Sequence, residues 1–91
     1  MPLVRVTILS DKLAKLLQGN EFRVQVEPGT YSIAELIDLI PTQVHSIKSI
    51  IDKMGEAVFI AVNGRVRYNL DEKIEVMDDI RVTVFEVGAG G

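Results

Sequence analysis

The sequence runs out through Ile80-Arg81-Val82-Thr83-Val84-Phe85-Glu86-Val87-Gly88-Ala89-Gly90-Gly91. Ile80, Val82 and Val84 alternate with Arg81 and Thr83, the period of a half-buried strand with one apolar face. Phe85 falls on the opposite face from Ile80, Val82 and Val84. Straight after this run come Gly88, Ala89, Gly90 and Gly91, a tip of small residues. Glycine lacks a side chain and accepts backbone angles closed to other residues, so such a tip fits a slot too narrow for anything larger. A strand that feeds this tip makes the carboxylate of Gly91 the group expected to act, with the folded part as its handle. Taken alone, the tip reads more simply as a frayed end of small residues. The residues upstream change that balance.

Working back from the last strand, Met77-Asp78-Asp79 makes a tight turn into it. Leu70 to Val76 is open to either a turn or one helical loop. Ala57 to Val62 is short, apolar and β-branched, the pattern of a central strand. Asn63-Gly64 follows it, and this dipeptide suits a two-residue type I′ hairpin turn, which needs positive φ at both positions. Arg65 to Tyr68 is then the returning strand, short enough for an edge.

In the first half, Val4, Val6 and Ile8 alternate with Arg5 and Thr7 to give an opening strand over Leu3–Leu9. Ser10 or Asp11 caps a short helix with Leu13, Leu16 and Leu17 on one face and Gly19 as its stop. Phe22, Val24 and Val26 alternate with Arg23, Gln25 and Glu27 in a second strand that pairs with the first as a hairpin with an enlarged loop. Pro28-Gly29-Thr30 breaks that strand. Ser32 and Glu35 have the spacing of a capping box, in which each side chain satisfies the other's backbone N–H. The helix they open carries Ile33, Leu36, Ile37 and Ile40 at helical spacing and stops at Pro41, which lacks an N–H and clashes with the preceding turn. A second helical segment is expected over Gln43–Met54, with Val44, Ile47, Ile51 and Met54 on one face and Gly55 as its C-terminal stop.

Composition narrows the function. The 91 residues suit one domain. A chain of this size buries roughly 60–70% of its unfolded surface, enough for one modest core. Hydrophobic residues make up 47% and charged residues 25%, as in an ordinary soluble globule. A net charge of -3 without a Lys/Arg cluster argues against a nucleic-acid partner, and a mildly acidic surface suits a basic groove on another protein. The absence of cysteine excludes disulfides, thiolate metal sites and cysteine nucleophiles. No signal-peptide core follows Met1-Pro2, and the apolar runs are too short to span a membrane, so a cytoplasmic location is expected.

The element order is strand, strand, helix, strand, short strand, strand. One amphipathic helix against a mixed sheet is an α+β layer architecture. The first and last strands lie parallel at its centre, which is the topology of a ubiquitin-like β-grasp. The expected organisation is a β-grasp domain over residues 1–87 and a flexible tail over 88–91. On this ordered set the chain resembles the MoaD/ThiS sulfur-carrier proteins. The residues that carry the resemblance are Val4–Leu9, Val26-Glu27-Pro28-Gly29-Thr30 with the capped helix Ile33–Ile40, Ala61-Val62-Asn63-Gly64, Asp78-Asp79-Ile80, and Gly90-Gly91. They span nearly the whole chain.

The resemblance implies chemistry at Gly91. In that family a MoeB/ThiF-like activating enzyme uses ATP to adenylate the terminal carboxylate, which then becomes a thiocarboxylate for sulfur delivery. It also implies a MoaE-like large subunit of molybdopterin synthase as partner, with this chain as carrier or co-substrate rather than enzyme and no bound cofactor. A thiamine-pathway carrier, a protein modifier that joins lysine amines, and a binding module with an inert tail are the alternatives. Two departures bear on the pathway. Glu86 and Val87 stand where MoaD proteins often carry two prolines, and Gln43–Glu56 makes the chain longer than typical ThiS proteins.

For docking, the β-grasp makes the strands of Phe59 and Phe85 neighbours and sets both rings on the outer face near Ala61. Exposed aromatics of this kind mark interaction surfaces, and Phe85 matches an aromatic position that the family uses against its activating enzyme. The competing expectation is that Gln43–Met54 covers one or both. Arg65 and Arg67 read as solvated arginines beside the hairpin, Asp71-Glu72 as a solvated charge pair, Asp78-Asp79 as turn chemistry, and His45 as a surface helix residue rather than a metal ligand.

Overall fold

The computed structural model describes residues 1–40, 49, 52 and 58–86. Strand β1 spans Leu3–Ile8, helix α1 Asp11–Leu17 and β2 Glu21–Gln25. Strand β3 covers Gly29–Ser32 and runs straight into helix α2, Ile33–Asp38. Strands β4 (Val58–Val62), β5 (Arg65–Arg67), β6 (Lys73–Val76) and β7 (Ile80–Glu86) complete the order. The expected helix over Gln43–Met54, its flanking Pro41 and Gly55, His45, and the tail Gly88–Gly91 lie outside the described residues, apart from Ser49 and Asp52, which are helical.

The main sheet has five strands in the order β2-β1-β7-β4-β5. β1 and β7 are parallel, in the register Val4↔Ile80, Val6↔Val82 and Ile8↔Val84. β2 is antiparallel to β1, and β4 is antiparallel to β7. The first and last strands therefore share the middle of the sheet, as the apolar alternation predicts, and β7 occupies the central position. This is the α+β, ubiquitin-like β-grasp arrangement.

Alternation fixes which side is core. Val4, Val6, Val82 and Val84 are at most 1% exposed, and Ile60 and Val62 continue the same face onto β4. Ile33, Leu36, Ile37 and Ile40 from the α2 region belong to the same buried cluster, as do Leu13 and Leu17 of α1. Each fully buried aliphatic side chain contributes about 1.5–3 kcal/mol of burial free energy, and these positions supply most of what offsets the entropy of ordering a short chain.

Local chemistry sets the element ends. The Ser10 hydroxyl accepts from the Leu13 N–H at 3.2 Å and starts α1. The left-handed residue that ends α1 is Gln18, at φ 59, one position before the expected Gly19. The capping box of α2 is complete: Ser32 Oγ accepts from the Glu35 N–H, and Glu35 Oε1 accepts from the Ser32 N–H, both at 3.0 Å. The Ser32 N–H, and next to it the Ser32 hydroxyl, hold the Glu35 carboxyl below its ordinary value. Lys73 acts in the same direction, and desolvation opposes it.

Pro28-Gly29-Thr30 does break the strand before it, since β2 ends at Gln25, but the chain resumes at once as a new strand, and the turn or helical loop expected over Leu70–Val76 is corrected to a strand for the same reason. Gly29–Ser32 and Lys73–Val76 pair as a second, two-stranded antiparallel sheet, with Thr30↔Glu75 and Tyr31↔Ile74 as partners. Each strand has only four residues, too few for a clear period. Their long-range pairing supplies the order that local pattern does not show. Tyr31 Oη donates to Glu27 O at 2.6 Å and ties β3 back to the chain before it.

Candidate docking face

The turn at Asn63-Gly64 positions much of the outer face. Asn63 has φ 50 and Gly64 φ 83, the two positive angles of the expected turn. The register Val62↔Arg65 and Ile60↔Arg67 then follows. Asn63 adds a second function: its side-chain Oδ1 accepts from the Arg81 N–H at 2.9 Å, and its backbone N–H donates to Arg81 O at 2.8 Å. The hairpin is thus locked onto the central strand.

On the face away from the core, Phe59 and Phe85 are direct partners across β4 and β7. Their rings are stacked, with centroids 5.9 Å apart and planes 23° apart. Both are half-buried, and the segment Gln43–Met54, the alternative cover for them, lies outside the described residues apart from Ser49 and Asp52. Tyr68 meets Phe59 edge-on at 6.3 Å and is 85% exposed. On the other side, the Leu9 N–H donates to Val84 O at 2.8 Å, which carries the β1 register one step on and sets Leu9 beside Phe85. Leu9 is exposed. Leu9, Phe85, Phe59 and Tyr68 therefore form one apolar row across the sheet, at the end of β7 that leads into the tail.

The sequence reading finds Phe59 and Phe85 and misses Leu9 and Tyr68. Tyr68 was recoverable: a two-residue turn that pairs Val62 with Arg65 necessarily sets Phe59 opposite position 68. Ala61 needs a correction as a docking residue. It lies in the expected place, opposite Thr83 and next to the phenylalanines, but is only 8% exposed. Its single methyl sits below the level of its larger neighbours, so it forms the floor of the face. Val66, its partner on β5, is exposed in its stead.

Two more expectations are corrected on the opposite side of the hairpin. Arg67 is not a freely solvated arginine, nor is Glu72 part of a solvated pair. Arg67 Nη1 donates to Glu72 Oε1, and the Arg67 side chain is only 23% exposed. The ion pair joins edge strand β5 to the residue before β6. Arg65 stays exposed. Asp79 is turn chemistry of a specific kind, since its Oδ1 accepts from the Leu3 N–H at 2.8 Å and fixes the start of β1 beside β7. Among the described residues no group of His, Cys, Asp or Glu is placed to hold a metal ion, and no helix is long and apolar enough to cross a membrane.

Glu86 stands where a proline is often found in the resembling family, yet it remains within β7 and pairs with Val58. Ladder pairing therefore holds the approach to the tail. From Glu86 the five positions to Gly91 reach at most about 18 Å.

No family model matches the chain, and no curated protein matches it. Solved structures do. SAMP1 from Haloferax volcanii has a TM-score of 0.64 at 14% identity, over 98% of this chain and 99% of its own. A putative molybdopterin converting factor, subunit 1, from Pyrococcus furiosus has a TM-score of 0.61 at 26% identity, over 94% of this chain and 98% of its own. Both likenesses run through nearly the full length of each partner in the comparison. The chain is thus a MoaD/ThiS-like β-grasp, as its ordered motifs imply.

Proposed function

We propose that this chain is a small carrier whose Gly91 carboxylate is adenylated and then converted to a thiocarboxylate, for sulfur transfer in molybdopterin cofactor synthesis. The observation that carries the reading is the apolar row Leu9–Phe85–Phe59–Tyr68, set at the end of the central strand within reach of Gly91. A partner that binds this row holds the tail in range of its own catalytic groups. The near full-length likeness to the Pyrococcus furiosus molybdopterin converting factor subunit supports the choice of pathway.

The chemistry requires little of this chain. A free carboxylate is a poor electrophile. Its attack on the α-phosphorus of ATP releases pyrophosphate and leaves a mixed anhydride with AMP. A sulfur nucleophile then attacks the carbonyl carbon, and AMP departs. A MoeB/ThiF-like enzyme supplies the ATP site and the catalytic groups, a separate donor supplies the sulfur at the sulfide level, and a MoaE-like large subunit receives the loaded carrier. The chain's own parts are an approach of small residues, Gly88, Ala89 and Gly90, and a folded face that sets its position. It is a co-substrate and not an enzyme.

The test is incubation of the chain with ATP, a sulfur donor and the activating enzyme, followed by intact mass and fragmentation. Exchange of one oxygen for sulfur at Gly91 supports the reading. Conjugation to lysine amines without a thiocarboxylate would assign the same activated carboxylate to protein modification. Deleting Gly90 and Gly91 should abolish either activity, whereas full activity after the deletion would leave a binding module with an inert tail.

A further inference from the structure

The same outer face carries a second feature that the docking row does not use. Arg5 is the direct partner of Arg23 on β2 and of Arg81 on β7. Three arginines from adjacent strands thus occupy neighbouring positions on one face, and all three residues are exposed. Adjacent strands are about 4.8 Å apart, so the row spans about 10 Å. Like charges placed directly opposite each other destabilise a sheet. Local acids relieve little of this. Glu21 approaches Arg23 at 3.5 Å with both side chains more than half exposed, and the Asp79 carboxylate is engaged by the Leu3 N–H. The row is locally basic although the chain as a whole carries a charge of -3.

The arginine row is parallel to the apolar row and four residues along β7 from it, as Arg81 is from Phe85. At about 3.3 Å per residue the two rows are about 13 Å apart. Thr7, Thr83, Ala61 and Val66 lie between them and are small or medium in size, with the exposed Glu21 at the β2 end of the same row. An apolar row alone fixes a partner's position poorly in rotation about its own centre. A charged row at this distance removes that freedom and determines which way the tail points.

From this geometry we infer that Arg5, Arg23 and Arg81 form an orientation site for a carboxylate-bearing ridge on the protein that receives the aromatic row. The inference rests on the docking reading above and names the chemistry of that partner's surface: an apolar strip with Asp and Glu side chains about 13 Å from it. It replaces the expectation of a basic groove drawn from net charge, because the charge of the docking face is opposite to that of the whole chain. A protein is favoured over a nucleic acid because Phe59 and Phe85 stack on each other rather than standing open to bases, and the exposed Leu9 at the end of the row has no π-face to offer.

The experiment measures association of the chain with its activating enzyme by stopped-flow and calorimetry, across a range of salt. The variants are Arg5→Thr with Arg81→Thr, and separately Phe85→Ala. Threonine keeps β propensity and removes the charge. The arginine double variant should fold with an unchanged or higher melting temperature, since repulsion is relieved. Its affinity should fall about tenfold, carried largely by a slower on-rate, and its salt dependence should flatten. Lysine at both positions should restore most of the on-rate, a rescue that a packing role would not give. Unchanged binding and salt dependence in the arginine variant, with Phe85→Ala still weakened, would overturn the orientation site and leave the proposed function standing. Failure of the unmodified chain to bind the enzyme would overturn the proposed function and the inference together. Arginine-dependent binding of a labelled duplex oligonucleotide, or arginine-dependent dimerisation in sedimentation, would overturn it by assigning the row to a nucleic acid or to a second copy of the chain.

Discussion

Phe59 and Phe85 stack across the pairing of β4 with the central strand, 5.9 Å between centroids, on the face turned away from the core. The core face of the same two strands is already sealed by Ile60, Val62, Val82 and Val84. The rings therefore contribute less to folding than their size suggests and more to what the sheet can bind. Phe85→Ala should weaken binding to the activating enzyme by about 1–3 kcal/mol, the loss of a buried anchor, while the variant still unfolds cooperatively. Calorimetric titration with a parallel urea melt checks both halves.

Tyr68 extends this row at the edge of the sheet and is mostly exposed in the isolated chain. Tyr68→Ser should leave stability within about 0.5 kcal/mol, as for other surface substitutions. It should lower partner affinity in the same assay as Phe85→Ala. An unchanged affinity would confine the docking row to Leu9, Phe85 and Phe59.

Gly64 isolates a backbone effect. Its φ is 83, and a Cβ added there would meet nothing within 4 Å. Gly64→Ala should thus destabilise by about 1–2 kcal/mol from left-handed strain alone, with no change in partner affinity at temperatures where the chain is folded. Denaturant midpoints read the first effect and titration the second.

Glu35 links stability to pH. Its folded-state carboxyl lies below the ordinary glutamate value because the Ser32 N–H, and after it the Ser32 hydroxyl, favour the ionised form. A depressed carboxyl contributes stability that is fully present above its unfolded value and is lost as pH falls through its folded value. Melting temperatures taken from about pH 6 down to about pH 3 should show a steeper decline for the native chain than for Glu35→Gln, which keeps an acceptor but does not titrate in that range. Ser32→Ala removes the other half of the box and should cost about 1 kcal/mol at neutral pH.

Most of the five-stranded sheet was legible because its strands obey period two and its turns carry their own signals. Val4, Val6 and Ile8 declare a buried face without reference to anything distant, and Asn63-Gly64 declares both a turn and a register. The pairing of Gly29–Ser32 with Lys73–Val76 was not legible, since four-residue strands leave no pattern and their partners are far apart in sequence. Arg67 and Glu72 were hidden for a related reason: nothing in either residue announces that a bent segment between β5 and β6 will bring them together. On the docking face, Phe59 and Phe85 follow from strand alternation once the topology is known. The arginine row needs the β1–β7 register as well, which only the folded chain provides. The tail's chemistry, by contrast, is legible only through resemblance, because four small residues carry no reactive side chain.

The most direct measurement is the intact mass of the chain after incubation with ATP, a sulfur donor and its activating enzyme, with the enzyme first shown to load a known carrier. The account predicts a mass change equal to one oxygen replaced by sulfur, localised by fragmentation to Gly91. An unchanged mass under those conditions would contradict it.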